Sequence, residues 1–423
     1  MRVKVEPSVL SGSVCIPSSK SLAHRAIICA TLAKGKSVVS NITFSKDIDA
    51  TISCMEKLGA NIEKKEDSCI ITGIDILSQK GNRSFDCGES GSTIRFLIPM
   101  ASQIQGEVTF YGHGRLLSRP MEVYQHLFDQ QHLSFQQNDD CIQVKGALTP
   151  GKYVLKGDIS SQFISGLLFI LPLLNKDSTL SIEPPYESKS YVDLTVSMLK
   201  TFGVKIEQVD DLTYFIKGNQ TYKSRNVTVE GDYSQMAFFG VASVLNNEIE
   251  CFNMNKESLQ GDKAILPILE KAGASVQFKK GMILSKTQPK GQIIDVSNCP
   301  DLGPILCVLA SFSKGGTKII NASRLRMKES DRIEAMEQEL KKWDVDIHST
   351  FDSITIMGKE SYKKDEIVSI YGHNDHRIVM AMTIFGLCAN SASVIEDAQA
   401  ISKSYPGFFE DIQKLKGKVT IYD

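Results

Sequence analysis

Six times along this chain a polar turn rich in Gly, Ser, Asp or Asn runs into an apolar helical stretch, and the turns recur about every 70 residues. The first three are Pro17-Ser18-Ser19-Lys20 before Ala26-Ile27-Ile28, Glu89-Ser90-Gly91-Ser92 before Phe96-Leu97-Ile98, and Ser160-Ser161-Gln162 before Leu167-Leu168-Phe169. The last three are Glu230-Gly231-Asp232 before Ala237-Phe238-Phe239, Asn298-Cys299-Pro300-Asp301 before Ile305-Leu306, and Asn374-Asp375-His376-Arg377 before Ile378-Val379-Met380. A second helical pattern follows most of these, as from Ile48 to Leu58 then Gly59, Val192 to Phe202 then Gly203, Ala264 to Ala272 then Gly273, and Ile333 to Lys342. Strand-like runs such as Val204 to Glu207 and Ala274 to Phe278 come next, so each unit reads β-α-β-α-β-β.

Six units divide into three and three, and 423 residues exceed what one core usually holds. The expected division is residues 20–227 as one domain and 228–423 as the other, with no low-complexity linker between them. The strand expected from Val3 to Val14 fits either half by pattern alone. A TIM barrel needs eight shorter units, and a dinucleotide fold needs a G-x-G-x-x-G turn that is missing from the sequence.

Lys+Arg 48 against Asp+Glu 49 gives a net charge of -1, which argues against a general nucleic-acid binder. The ten cysteines are scattered without zinc-like or C-x-x-C spacing, as in proteins of a reducing cytosol. Met1 to Val5 alternates like a strand and has no signal-peptide core, and the longest apolar stretch, Phe163 to Leu174, is too short to cross a bilayer. The expectation is a cytoplasmic protein, working as a monomer, with no membrane or nucleic-acid partner.

Helix amino termini offer unpaired N–H groups and partial positive charge, so six comparable starts would form an anion trap if aimed together. Ser, Asp and Asn are also ordinary caps, and for any single start capping is the simpler explanation. Basic residues shift the balance: Lys20, Arg25, Arg95 and Arg377 lie in the helix starts, and Arg119 and Lys403 in loops. The run Arg324 to Arg332 is densest, with a helix starting at Ser330 or Asp331 and Arg324 to Lys328 in a loop ahead of it. Lys328 and Arg332 are expected to face a solvated cleft. His373 and His376 lack an evident third ligand, so no metal is expected. The residues by themselves reach anion recognition plus acid–base groups and name no substrate.

Lys20-Ser21-Leu22-Ala23-His24-Arg25, Gly91-Ser92-Thr93-Ile94-Arg95, Ser160-Ser161-Gln162-Phe163, Lys328-Glu329-Ser330-Asp331-Arg332 and Asn374-Asp375-His376-Arg377 resemble, in order, the signature blocks of the 3-phosphoshikimate 1-carboxyvinyltransferase (EPSP synthase) family. The resemblance spans nearly the whole chain. It implies an α/β, two-domain enolpyruvyl-transferase fold, each domain holding three β-α-β-α-β-β repeats around pseudo-threefold symmetry. The active site would lie in the cleft between the domains, and residues 1–19 would return to complete the 228–423 domain. The implied reaction transfers the enolpyruvyl group of phosphoenolpyruvate to the 5-hydroxyl of shikimate 3-phosphate by addition and elimination, with no metal or organic cofactor.

By the same resemblance, Lys20, Ser21, Arg25, Ser160, Ser161, Gln162, Ser188, Tyr191, Asp301 and Lys328 would hold shikimate 3-phosphate. Lys20, Gly91, Arg119, Gln162, Arg332, Arg377 and Lys403 would hold phosphoenolpyruvate. Asp301 is the expected base and Glu329 the expected acid, with Lys20 and His376 assisting. Glu89 and Arg324 depart from the family pattern, and Glu89 would repel phosphoenolpyruvate unless it turns away or pairs. Gly91, the position that bears on glyphosate fit in this family, is retained. The sister family that uses UDP-N-acetylglucosamine typically has a reactive cysteine in a loop matching Tyr111 to Arg119, where this chain has none. A non-catalytic anion sensor would be expected to lose Asp301 or Glu329, and both are present.

Overall fold

The computed structural model describes residues 1–246 and 248–422. The chain forms two compact units, Met1–Pro17 with Glu230–Asp423 and Ser18–Val229. Twelve α-helices alternate between two kinds along the described chain. The leading helices are α1 (Lys20–Leu32), α3 (Gly91–Ala101), α5 (Ser161–Ile170), α7 (Tyr233–Leu245), α9 (Gly303–Ser311) and α11 (His376–Cys388). Between them come α2 (Lys46–Leu58), α4 (Glu122–Gln130), α6 (Lys189–Thr201), α8 (Ile265–Ala272), α10 (Arg332–Lys341) and α12 (Phe408–Lys414).

Leading helices are apolar on nearly every face, and such a helix is stable only when surrounded by protein. In α1, for example, Ala23 to Leu32 are all buried. The second helices are amphipathic: α2 buries Ile48, Ile52, Met55 and Leu58 at helical spacing and turns Lys57 outward. Gly59 and Gly273 end α2 and α8 in the left-handed conformation, at φ 113° each, which a side chain would oppose. Each unit closes around its own apolar core.

The same four-stranded sheet occurs three times in each unit. Its first two strands are parallel and the others antiparallel, as where Lys152–Lys156 runs parallel to Ser178–Glu183, which meets Thr213–Ile216 and then Ile206–Asp210. Two sheets exchange their first strands. Gly12–Cys15 leads into α1 but pairs with Ile249–Phe252, while Asn226–Thr228 leads toward α7 but pairs with Lys36–Ser40.

Two expectations change. The amino-terminal strand is broken by Pro7 and by Gly12 at φ 118° into Arg2–Glu6 and Gly12–Cys15, which enter different sheets. Arg2–Glu6 lies between Ser393–Ile395 and Lys418–Tyr422, the place a hairpin strand fills in the other sheets. The pairing of Asn226–Thr228 with Lys36–Ser40 also keeps residues up to Val229 with the 18–229 unit, two past the expected edge. No described helix is long and apolar enough to cross a membrane.

Candidate active site

Five leading helices begin on a side-chain cap. Ser19, Ser90, Ser160, Asp232 and Asp375 each accept from a backbone N–H of the first turn. The fifth copy differs: α9 has no side-chain cap, and Asp301 lies in a preceding 3-10 turn, Pro300–Leu302. Its carboxylate is therefore left for side chains from elsewhere.

Asp301 Oδ1 accepts from Lys328 Nζ at 3.1 Å and Arg332 Nη1 at 3.0 Å, and Oδ2 lies 3.4 Å from Arg377 Nη2. Burial alone would raise its proton affinity, but Arg377, Lys328 and Arg332 outweigh it and hold the carboxyl well below the usual range. Arg332 also donates through Nη2 to Glu329 Oε2 at 2.6 Å and through Nε to Asp375 Oδ2 at 2.8 Å. Asp375 accepts further from Ser330 Oγ at 3.0 Å and caps α11 through the Arg377 N–H at 2.9 Å. Lys328 loses proton affinity chiefly through burial, with Arg332 and Arg324 adding to the loss and Asp301 opposing it. Arg377 Nη2 reaches Ser234 Oγ at 2.9 Å, and Lys403 Nζ donates to the Asn374 carbonyl at 2.6 Å. His376, the first residue of α11, is buried with Nδ1 3.9 Å from Asp375 Oδ1.

The 18–229 unit gathers a second set. Arg25 donates to Thr195 Oγ1 at 2.8 Å and to the carbonyls of Ser21 at 2.7 Å and Tyr191 at 2.9 Å, over the Phe96 ring. Burial pulls this guanidinium down to about 10, because its partners are neutral acceptors. Lys20 Nζ pairs with Asp47 Oδ2 at 2.7 Å. Gly91, Arg119, Arg95 and Gln162 meet at the start of α3: a Cβ on Gly91 would stand 2.9 Å from Arg119 Nη1, 3.6 Å from Gln162 Oε1 and 3.7 Å from Arg95 Nη1. A side chain there would have to push the end of Arg119 aside. Ser160 Oγ accepts from the Gln162 N–H at 3.3 Å, and Ser161 opens α5. Ser188 stands at φ 52° ahead of α6, its carbonyl accepting from the Tyr191 N–H at 3.1 Å.

Two side-chain expectations need correction. Arg332 does not face a solvated cleft; its side chain is 1% exposed, clamped by three carboxylates from separate segments. Lys328, at 25%, is the more accessible member of the pair. Arg324 is buried in a 3-10 helix, Ser323–Met327, rather than in an open loop. Glu89 turns its carboxylate onto Gly114, where an added Cβ would meet Glu89 Oε2 at 2.6 Å.

Sequence reading passed over Asp375, the hub between Arg332 and α11, because its place before a helix reads simply as a cap. It also passed over Asp47 and Ser234, whose positions at helix starts carry no chemical signal until Lys20 and Arg377 are seen to reach them. No described group of three or more His, Cys, Asp or Glu side chains is arranged to hold a metal ion.

The profile described as EPSP synthase (3-phosphoshikimate 1-carboxyvinyltransferase) matches residues 5–412. A 3-phosphoshikimate 1-carboxyvinyltransferase of Clostridium perfringens is 45% identical over 420 residues, covering 98% of each chain. Its namesake in Clostridium acetobutylicum is 46% identical over 422 residues, covering 99% of this chain and 98% of that one. A solved EPSP synthase of Acinetobacter baumannii shares the fold, with a TM-score of 0.79 at 24% identity over 99% of this chain and 100% of that one. The match takes in both units, both exchanged strands and both clusters, and this chain belongs to the EPSP synthase family.

Proposed function

We propose that the two clusters serve one substrate pair: Lys20, Ser21, Arg25, Ser160, Ser161, Gln162, Ser188, Tyr191, Asp301 and Lys328 hold shikimate 3-phosphate, and Lys20, Gly91, Arg119, Gln162, Arg332, Arg377 and Lys403 hold phosphoenolpyruvate. The chain transfers the enolpyruvyl group of phosphoenolpyruvate to the 5-hydroxyl of shikimate 3-phosphate, releasing phosphate, in the shikimate pathway. The observation that carries the assignment of roles is Asp301, an uncapping acid ringed by Lys328, Arg332 and Arg377.

In the addition step the 5-hydroxyl oxygen bonds to C2 of phosphoenolpyruvate, the hydroxyl proton goes to a base, and the methylene carbon gains a proton from an acid. The resulting ketal then loses phosphate from C2 and one proton from the methyl carbon. Asp301, held ionised by its three cations, is always in the accepting state for the hydroxyl. Substrate phosphate and carboxylate bring opposing charge to those cations, which raises the proton affinity of Asp301 toward what a base requires. Glu329, held by Arg332, serves as the acid at the methylene carbon once it has taken a proton from solvent, which the substrate anions favour by opposing the charge of Arg332, with Lys20 and His376 assisting. The planar forks of Arg119 and Arg377 suit the phosphate and carboxylate oxygens, whereas Arg332 reaches phosphoenolpyruvate by yielding one of its bonds to Asp301, Glu329 or Asp375.

Each unit encloses its own core, which is consistent with a working monomer. Ten cysteines without a disulfide fit a cytoplasmic enzyme. Purified protein given shikimate 3-phosphate and phosphoenolpyruvate should release inorganic phosphate. Release with UDP-N-acetylglucosamine in place of shikimate 3-phosphate, and none with the latter, would overturn the reading.

A further inference from the structure

Gln162 has an amide whose two ends are chemically opposite, and its usefulness to an anion depends on which end faces outward. Its Oε1 accepts from Arg95 Nη1 at 2.9 Å, and its Nε2 donates to Ser92 Oγ at 2.9 Å. A guanidinium can only donate, so the amide cannot turn over without setting two donors against each other. Arg95 also donates through Nη2 to the carbonyl of Pro120 at 3.1 Å, the residue after Arg119. The Arg95 guanidinium lies 4.9 Å from the Phe163 ring centre, and Tyr124 Oη donates to the Arg95 carbonyl at 2.6 Å. This buried side chain thus touches the carrier of Gln162 and the loop of Arg119 at once, directly beneath Gly91.

We infer that Arg95 is a positioning residue for the known reaction: it fixes which way round the Gln162 amide stands, keeping Nε2 as its donor end, and anchors the backbone that carries Arg119. The inference rests on the reading that Gln162 and Arg119 hold phosphoenolpyruvate. Arg95 acts through them. A lysine in its place keeps the charge but cannot reach both the amide oxygen and the Pro120 carbonyl with one planar fork.

The test is steady-state kinetics and thermal melting of Arg95→Lys, Gln162→Leu, Gln162→Glu and the double variant Arg95→Lys/Gln162→Leu. Arg95→Lys should raise KM for phosphoenolpyruvate about tenfold, and KM for shikimate 3-phosphate, which Gln162 alone of the two residues also holds, by a smaller factor of about threefold. The double variant should exceed Gln162→Leu by no more than the part carried by Arg119, about threefold, because most of the effect is shared. Gln162→Glu keeps its bond to Arg95 but loses the N–H, so it should melt like the parent and still lose phosphoenolpyruvate affinity. Multiplicative effects in the double variant, or an Arg95→Lys enzyme with unchanged KM for phosphoenolpyruvate beside an impaired Gln162→Leu, would overturn the inference alone. Unchanged kinetics in Gln162→Leu and Gln162→Glu would overturn both it and the reading beneath it.

Discussion

The two clusters, which we propose hold the substrate anions, surround their cations in opposite ways. In the 18–229 unit Arg25 is surrounded by carbonyls, a hydroxyl and a ring, so its charge is poorly compensated and available to a ligand. In the other unit Arg332 is compensated by Asp301, Glu329 and Asp375, so its charge is already largely spent within the protein. The first arrangement favours affinity for an anion. The second brings carboxylates and cations into contact, and on the proposed roles these are the proton donors and acceptors of the reaction. A buried cation among neutral acceptors costs stability, whereas an interlocked cluster becomes costly only when a member is removed.

The largest effect should therefore come from Arg332→Ala, which strands the carboxylate of Asp375, itself fully buried. It should cut kcat/KM by about 10³ and destabilise the fold by about 3–5 kcal/mol, read by phosphate release and urea unfolding. Next, Asp301→Asn should lower kcat about 10²–10⁴-fold, since the amide cannot take the hydroxyl proton. A rate within about threefold of the parent would remove Asp301 from the role of base.

Arg25→Met should then raise KM for shikimate 3-phosphate about a hundredfold yet cost less than about 2 kcal/mol of stability. If it destabilises as much as Arg332→Ala, the contrast between the two clusters fails. Acid should separate the units as well. His24 is buried, with Nδ1 against Thr51 Oγ1 at 2.7 Å, and burial, then Lys20 and Arg25, hold its proton affinity well below 6.5. The unfolded chain binds that proton more readily, so the 18–229 unit weakens as pH falls below about 6.5. Asp301 has a lowered folded value, so its contribution is full above about pH 4 and is lost only as pH falls through that folded value. Trp343, the single tryptophan, lies buried in the unit of Asp301. On acidification far-UV dichroism should begin to change at higher pH than Trp343 fluorescence; coincident curves would contradict this. The smallest effect belongs to Glu89→Gln, which should change KM for phosphoenolpyruvate by less than about threefold, because the carboxylate turns onto Gly114.

Much of this organisation is legible in the sequence because helix starts are local. Ser19, Ser90, Ser160, Asp232 and Asp375 cap their helices with nothing but their own first turn. The exchange of Gly12–Cys15 and Asn226–Thr228 is not legible, since each strand pairs with one about 190 or more residues away. The burial of Arg332 escapes for the same reason: its three acids come from residues 301, 329 and 375, and a charged run shows none of that convergence. Asp301 stands out only against the other five starts, where a Ser or Asp caps the leading helix while α9 has no side-chain cap.

The division of labour between the clusters is tested most directly by titrating shikimate 3-phosphate, by calorimetry, into Arg25→Met and Glu329→Gln side by side. Glu329→Gln should bind within about threefold of the parent although it turns over poorly, and Arg25→Met should bind about a hundredfold more weakly. Normal binding by Arg25→Met, or a loss in Glu329→Gln as large as its own, would contradict the account.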